Sequence, residues 1–235
     1  MKKFLATLLA LTMALALVAC GGNNSAGTSG NDAGGANTSG DTAGNASGDA
    51  SGAAGSTFTI GVIGPLTGGN AIYGTNVANA AQIAVDEINA LGGDVQFSLI
   101  SEDDTGDAET AVNAYNALMD QGMQILLGTV TTGPALAVVP YAYEERVFTL
   151  TPSGSGDDVI EGNDNVFQVC FTDSNQGTRS AQYIDEHFED PQIAVIYRND
   201  DAYSQGIRDN FVAEAESRGM SIVYEGTFTE ASQTD

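Results

Sequence analysis

Short apolar runs alternate with amphipathic segments along the chain from Thr57 onward. The first run, FTIGVIGPL, is rich in β-branched residues and predicts a strand. The segment after it carries apolar residues at helical spacing from Tyr73 to Leu91, and Gly92 and Gly93 stop this pattern. The same alternation then repeats. Further strands are predicted by the runs VQFSLI, QILLG, VFTLTP, NVFQVCF, IAVIY and MSIVYEGTF.

The helical patterns between these runs carry recognisable start and stop residues. Asp107 is placed to cap the second helix, and Gly122 follows its last apolar position. The third helix is predicted from about Pro134 to Glu145, because a proline suits the first turn of a helix. Strands that alternate with helices predict parallel sheets covered on both faces, in a doubly wound α/β architecture. Such sheets bind ligands beyond the carboxyl ends of their strands.

Hydroxyl residues follow two consecutive predicted strands. Thr131 and Thr132 come after the third strand, in GTVTTGP, and Ser153 and Ser155 come after the fourth, in LTPSGSG. Amides at a helix start stabilise a carboxylate or phosphate, and a hydroxyl can both donate to and accept from a zwitterion. The alternative is that both segments are ordinary turns and caps, where Ser, Thr and Gly occur for local reasons. Composition does not separate these two interpretations.

The start of the chain differs from the rest. Residues 1–20 combine two lysines, an apolar run too short for a membrane span, and small residues before Cys20, which is the pattern of a secretory signal. The ending LVAC resembles a bacterial lipobox, in which the signal is removed before the cysteine and the sulfur receives a diacylglyceryl group. An ordinary signal with a coincidental cysteine is the alternative. Residues 21–56 consist of Gly, Ser, Asn, Ala, Thr and Asp, and they predict a disordered tether whose ends lie about 35 Å apart.

Acidic residues dominate the charge. The chain has 31 Asp and Glu against 7 Lys and Arg, a net charge of −24, and both lysines lie in residues 1–20. Such a surface repels polyanions, so nucleic acid and anionic lipid headgroups are excluded as direct partners. The two cysteines are Cys20 and Cys170, so acylation of Cys20 leaves no intramolecular disulfide.

The residues that could carry catalysis or hold a metal match no known motif. The single histidine, His187, has acids on both sides and is interpreted as a solvated surface group. The SGSG segment does not match a nucleophile elbow, and no phosphate loop of the GxxxxGK type occurs. Asp103, Asp104 and Asp107 do not match the calcium-loop pattern. We therefore expect no catalytic residue, no metal site and no cofactor.

Several segments together resemble one known family. They are IGVIGPLTGGNAIYGTNVANAAQIAVDEINALGG, EDDTGD, GTVTTGPALAVVP, LTPSGS, VFQVCFTDSNQG and YRNDDAYSQG. Their joint order and spacing are similar to those of the substrate-binding lipoproteins of branched-chain amino-acid ABC transporters, the Leu/Ile/Val-binding group. The resemblance implies the periplasmic binding protein type I fold, in which two parallel-sheet lobes joined by a hinge close on a ligand. Lobe one is then residues 57–172, and lobe two is residues 173–235 and incomplete.

The resemblance also implies a function and partners. The protein would sit on the outer face of the bacterial cytoplasmic membrane, anchored through Cys20. As a monomer it would capture a branched-chain or other small aliphatic amino acid and deliver it to an ABC permease and ATPase. The alternative is a ligand-sensing domain, or a binder of amides, urea or aromatic acids, on the same fold. A kinase or methyl-accepting receptor encoded beside the gene would favour sensing.

Matching positions implies roles for residues of the first lobe. Thr132 lies where the family usually has a serine whose hydroxyl and amide hold the ligand carboxylate, and Thr131 shares its loop. Ser153 would offer its backbone carbonyl to the ligand ammonium. Ser155, usually a threonine, would offer its amide and hydroxyl to both groups. Tyr73 would line the pocket for the ligand side chain, although its helical spacing fits a packing role nearly as well.

Two residues of the second lobe are also implicated. Tyr203 matches a tyrosine that closes over the ligand, but the next residue is Ser204 where the family has glycine, and the loop is one residue longer. Asp173 either faces the cleft or caps the helix that begins at Ser174, and capping is the expected role.

Overall fold

The computed structural model describes residues 55–232 of the chain. The predicted signal at residues 1–20, nearly all of the predicted tether and the predicted acylation site Cys20 therefore lie outside the described residues, as do residues 233–235. Within the described part, no helix is both long enough and apolar enough to cross a membrane.

Strands and helices alternate throughout residues 55–232. The strands are β1 (Ser56–Gly64), β2 (Val95–Asp103), β3 (Ile125–Gly128), β4 (Phe148–Thr151), β5 (Val166–Gln168), β6 (Gln192–Arg198) and β7 (Ser221–Phe228). The helices are α1 (Ala71–Ala90), α2 (Ala108–Asp120), α3 (Thr132–Glu144), α4 (Asp173–His187) and α5 (Ala202–Ser217), with short 3-10 helices at Asp157–Val159 and Glu230–Ser232. Each strand and helix predicted from the apolar pattern is present.

The strands form two parallel sheets. The first has the strand order β2-β1-β3-β4-β5, and the second contains β6 and β7. Every strand pair is parallel, so the predicted parallel α/β architecture is confirmed. Along the chain the two sheets fall on either side of residue 172, and the lobe boundary at that residue stays a prediction.

The first sheet places the ends of β3 and β4 side by side. Leu127 of β3 pairs with Leu150 of β4. The two strands end at Gly128 and Thr151, at the same edge of the sheet, so the segments that follow them are neighbours.

A buried core holds these strands in place. Tyr115 of α2 packs with Ile63 of β1, Leu126 of β3 and Val138 of α3, and each of these side chains is buried. The Tyr115 hydroxyl donates to the carboxylate of Glu145 at 2.7 Å, so its polar atom also has a partner. Each buried apolar side chain of this size contributes about 1.5–3 kcal/mol. This core therefore fixes the positions of the ends of β3 and β4.

Two boundaries differ from the predictions. Helix α3 begins at Thr132 and not near Pro134, because the backbone becomes helical directly after the extended Thr131. Strand β5 ends at Gln168, so Val169 and Phe171 of the apolar run NVFQVCF lie outside it, 68% and 63% exposed.

Candidate functional site

The segment after β3 turns sharply into helix α3. Gly128 has a φ of 143°, and a Cβ at this position would lie 2.5 Å from the carbonyl oxygen of Ile63, so only glycine fits. Thr131 is the N-cap of α3 and Thr132 is its first residue, so the two threonines are not both loop residues as predicted. The first-turn amides of α3 have no carbonyl partner within the helix, and together with the helix dipole they favour a negatively charged group.

Three hydrogen bonds join the segment after β3 to the segment after β4. They run from Thr151 Oγ1 to the Thr129 carbonyl at 2.8 Å, from Ser153 Oγ to the Val130 carbonyl at 2.6 Å, and from the Ser155 amide to Thr132 Oγ1 at 3.2 Å. Residues 129–132 and 151–156, which we call the hydroxyl loops, therefore form one surface. The two segments that follow consecutive strands are thus in direct contact.

These contacts determine which donors remain free. The Ser153 hydroxyl and the Ser155 amide already donate within the protein. Thr132 Oγ1 accepts from Ser155 and keeps its own proton for another acceptor. The hydroxyl oxygens of Thr131 and Ser155 are buried and have no hydrogen-bond partner among residues 55–232. Three hydroxyl donors thus remain beside the start of α3, whereas the Ser155 amide, expected to contact a ligand, bonds to Thr132.

Helix α4 begins beside the second hydroxyl loop. Thr172 is its N-cap, and the Thr172 side chain accepts from the Asn175 amide. The expectation that Asp173 caps this helix is wrong, because Asp173 already belongs to the first helical turn, whereas a cap needs the extended backbone that Thr172 has. The Asp173 amide donates to the Ser155 carbonyl at 2.9 Å, which ties α4 to the hydroxyl loop.

Two residues that the sequence analysis did not single out strengthen this junction. The Asp157 carboxylate accepts from the Ser174 amide at 3.1 Å and from the Ser174 hydroxyl at 2.6 Å. The side chain of Gln168 donates to the Gly154 carbonyl at 2.6 Å. Gln168 is a polar residue inside an apolar run, which was an available signal. Asp157 belongs to no recognisable pattern, since its partner is 17 positions away.

The Asp173 side chain is enclosed by polar and charged neighbours. It is 2% exposed, and neither carboxylate oxygen has a hydrogen-bond partner within residues 55–232. Burial raises the pKa of Asp173, the nearby Ser155 hydroxyl acts in the opposite direction, and the carboxylates of Asp157 and Asp201 raise it further. A Cβ at Gly206 would lie 2.8 Å from Asp173 Oδ2, so helix α5 packs directly against this carboxyl.

The two predicted pocket tyrosines lie in helices. Tyr73 of α1 is 60% exposed, which does not support the packing role. Tyr203, the second residue of α5, is 41% exposed and lines an open groove of about 480 Å³ between α4, β6 and α5. No residue of the hydroxyl loops lines that groove. The structure therefore does not bring Tyr203 and Thr132 together in this groove.

The remaining candidate residues are used within the protein. Asp103 accepts two amides and one hydroxyl, and Asp107 caps α2 as predicted. Burial raises the pKa of Asp104 to about 6. His187 is exposed and stacks on Tyr183, with ring centroids 4.1 Å apart. Residues 55–232 contain no group of three or more His, Cys, Asp or Glu arranged to hold a metal ion.

Comparison with known protein families identifies the family to which this chain belongs. The model of the family described as Periplasmic binding protein matches residues 57–235, which include both sheets and both hydroxyl loops. The chain belongs to the periplasmic binding protein family. Members of this family are solute-binding proteins. The surface formed by the hydroxyl loops is therefore the candidate solute-binding site of this chain.

Individual relatives of this periplasmic binding protein agree with the assignment. The Leu/Ile/Val-binding protein BraC3 of Rhizobium johnstonii is 35% identical over 179 residues, which are 75% of this chain and 48% of BraC3. The branched-chain amino acid transporter substrate binding protein LivJ from Streptococcus pneumoniae, solved in complex with isoleucine, has a TM-score of 0.70 at 30% identity and covers 77% of this chain. A solute binding protein of an ABC transporter from Rhodopseudomonas palustris, in complex with 3,4-dihydroxy benzoic acid, shares the fold with a TM-score of 0.67 at 20% identity, over 74% of this chain and 47% of its own.

This periplasmic binding protein spans about half the length of the relatives it matches: 48% of BraC3 and 51% of LivJ. The resemblance to the substrate-binding proteins of branched-chain amino-acid ABC transporters is confirmed, and so is the type I fold.

Proposed function

We propose that the protein is an extracytoplasmic solute-binding protein that captures an amino acid between two lobes and delivers it to an ABC importer. The amino acid is branched-chain or another small aliphatic one. Relatives that carry Leu/Ile/Val-binding names and the LivJ complex with isoleucine support this choice of ligand. Capture and release need no covalent step, so the proposal includes no enzyme activity.

The three free hydroxyl donors at the ends of β3 and β4 carry this proposal. A buried hydroxyl without a partner is costly, and a ligand carboxylate would remove that cost at Thr131 and Ser155. The same carboxylate would accept the free proton of Thr132 and would lie at the positive end of the α3 dipole. An anionic group is therefore the natural occupant of this surface.

Three further residues would contact the ammonium and the side chain of the ligand, as their positions in the family pattern imply. The Ser153 hydroxyl donates to the Val130 carbonyl and is held away from the proposed ligand. The backbone carbonyl of Ser153 would instead accept from the ligand ammonium. Tyr73, exposed at the start of α1, would contact the ligand side chain. Tyr203, exposed at the start of α5, would approach from the second lobe when the lobes close.

Thermal denaturation of the intact protein with a panel of solutes tests this function. L-leucine, L-isoleucine and L-valine are each expected to stabilise the folded state, by about 2.7 kcal/mol at a hundredfold excess over the dissociation constant. L-leucinamide, which has the same side chain and ammonium but no carboxylate, is the matched control and is expected to give no shift. Equal shifts with leucine and leucinamide would remove the carboxylate from the account, and no shift with any amino acid would remove amino-acid capture.

Aromatic acids are the second candidate ligands. They share the carboxylate that the hydroxyl loops suit, and a neighbour of the same fold was solved with 3,4-dihydroxy benzoic acid. Adding benzoate, its hydroxylated forms, urea and simple amides to the panel separates these alternatives. A sensing role is distinguished by testing whether the bound protein stimulates an ABC ATPase or a receptor kinase.

The beginning of the chain gives the proposed location. The signal at residues 1–20 would direct export, and an acyl group on Cys20 would hold the protein to the outer face of the cytoplasmic membrane. Residues 21–56 would keep the binding lobes clear of that surface. The proposed unit is a monomer that docks on its permease and ATPase complex.

A further inference from the structure

One buried acid lies directly behind the hydroxyl loops. Asp173 opens helix α4, and its amide donates to the Ser155 carbonyl at 2.9 Å. Its carboxyl is enclosed on the other side by Gly206 of α5, where even a methyl group would meet Asp173 Oδ2 at 2.8 Å. The carboxyl group therefore has little room to move away from the hydroxyl loop.

The unused hydrogen-bonding groups of this region belong to neighbouring residues. Asp173 Oδ1, Asp173 Oδ2 and Ser155 Oγ are all buried and make no hydrogen bond within residues 55–232. A deprotonated carboxylate and a serine hydroxyl offer only one proton between them. A protonated carboxyl adds a second, and Ser155 could then accept from Asp173 while donating to a third group.

We propose that Asp173 is a positioning residue whose protonated carboxyl donates to Ser155 Oγ and so directs the Ser155 proton to the bound carboxylate. Ligand capture then takes up one proton from solvent, which adds to an oxygen of Asp173, while no bond of the ligand is made or broken. When Asp173 is ionised, the Ser155 proton is drawn to Asp173 and is lost to the ligand. This inference rests on the proposed function, because it requires that the solute presents a carboxylate to Ser155.

The charges around Asp173 favour the protonated form. Asp157 lies in the 3-10 helix after the hydroxyl loop, Asp201 caps α5, and both carboxylates raise the pKa of Asp173 in addition to its burial. Cys170 precedes α4, and burial raises the pKa of its thiol, with a smaller contribution in the same direction from the charge of Asp173. A ligand carboxylate adds another negative charge at short range, so binding and protonation support each other.

The direction of the pH effect follows from linkage. Because the pKa of folded Asp173 lies above its ordinary value of 3.8, the folded protein binds more protons than the unfolded chain between those two values. The contribution of protonated Asp173 to the stability of the folded protein is therefore complete at low pH. It is lost as the pH rises through the folded pKa of Asp173. The affinity for a carboxylate should fall in the same direction, by up to about tenfold per pH unit above that pKa for one coupled proton.

Isothermal titration calorimetry of the intact protein with L-isoleucine tests this inference. Titrations in two buffers of different ionisation enthalpy, repeated from about pH 4 to about pH 8, count the protons taken up. The wild-type protein should take up a fraction of one proton that peaks above the folded pKa of Asp173. Asp173→Asn, whose amide donates to Ser155 at every pH, should bind L-isoleucine with a pH-independent affinity and no proton uptake. Ser155→Ala should reduce the uptake to the part that charge repulsion between the ligand carboxylate and Asp173 alone produces.

The control is Asp104→Asn, which removes another buried acid of raised pKa whose carboxylate accepts from the Gly106 amide and not from Ser155. It should leave proton uptake on binding unchanged. Binding of L-isoleucine without proton uptake by the wild-type protein would overturn the inference and leave the proposed function intact. No binding of any carboxylate by any variant would overturn both. If Asp173→Asn does not fold, the wild-type and Ser155→Ala titrations decide.

Discussion

At the residue scale, one hydroxyl connects the two halves of the candidate site. Thr132 Oγ1 accepts from the Ser155 amide at 3.2 Å and still has a proton to donate. Thr132 is also the first residue of α3, where the helix dipole is most positive. Its hydroxyl thus holds the second hydroxyl loop and, under the proposed function, would also donate to the ligand carboxylate.

Replacing Thr132 by valine removes this hydroxyl and keeps the shape of the side chain. We expect Thr132→Val to weaken L-isoleucine binding by roughly ten- to a hundredfold, because one hydrogen bond to a charged group is worth about 1.5–3 kcal/mol. Calorimetry measures the change. The control is Thr149→Val, which removes the hydroxyl of a buried threonine that donates to the Val147 carbonyl, away from the strand end. An equal loss of affinity in both variants would count against a direct role for Thr132.

At the element scale, helix α1 reaches the strand ends by a close backbone approach. A Cβ at Gly74 would lie 2.1 Å from the carbonyl oxygen of Pro65, which is impossible without moving the helix. This contact sets the position of α1 and therefore that of Tyr73, its exposed neighbour at the proposed pocket.

Gly74→Ala tests this contact. We expect it to lower the free energy of unfolding by about 1–3 kcal/mol, the usual range for overpacking, as measured by urea denaturation. Gly69→Ala is the matched control, because nothing lies within 4 Å of a Cβ at that position. Indistinguishable unfolding curves for the two variants would show that α1 does not depend on the close approach.

The alternation of strands and helices could be predicted from the sequence, whereas the hydrogen bonds of the candidate site could not. Buried parallel strands appear as short apolar runs, and helices appear as apolar residues at helical spacing, so each element was visible locally. The start of α3 was predicted two residues late because Pro134 signals a first turn without fixing its first residue.

The hydrogen bonds of the site depend on contacts between distant parts of the chain. Ser155 and Thr132 are 23 positions apart, and Asp157 and Ser174 are 17 apart. The burial of Asp173 depends on Gly206 of another helix. No local pattern states which residue will cap α4 when Thr172 and Asp173 are both capable, so the capping role was assigned to the wrong one.

At the scale of the whole molecule, the beginning of the chain determines where the ligand would be captured. Cys20 ends a sequence with the features of an export signal, and residues 21–56 contain no apolar side chain large enough to build a core. We therefore propose that lipid on Cys20 attaches the binding unit to the membrane.

Cys20→Ser tests the attachment. In a bacterial host that exports and acylates lipoproteins, the wild-type protein is expected in the membrane fraction, and the variant should lose the acyl chain and leave that fraction. Cys170→Ser is the control, since Cys170 is half-buried near the start of α4 and lies outside the LVAC segment. Equal membrane association of both variants would show that the lipid on Cys20 is not the anchor.

We propose that the hydroxyls of Thr132 and Ser155, at the ends of β3 and β4, hold the carboxylate of the captured solute. A crystal structure of the intact protein grown with L-isoleucine tests it most directly. We expect a ligand carboxylate oxygen within about 2.6–3.2 Å of Thr132 Oγ1 and of Ser155 Oγ, at the start of α3. A bound solute whose carboxylate contacts neither hydroxyl would contradict it.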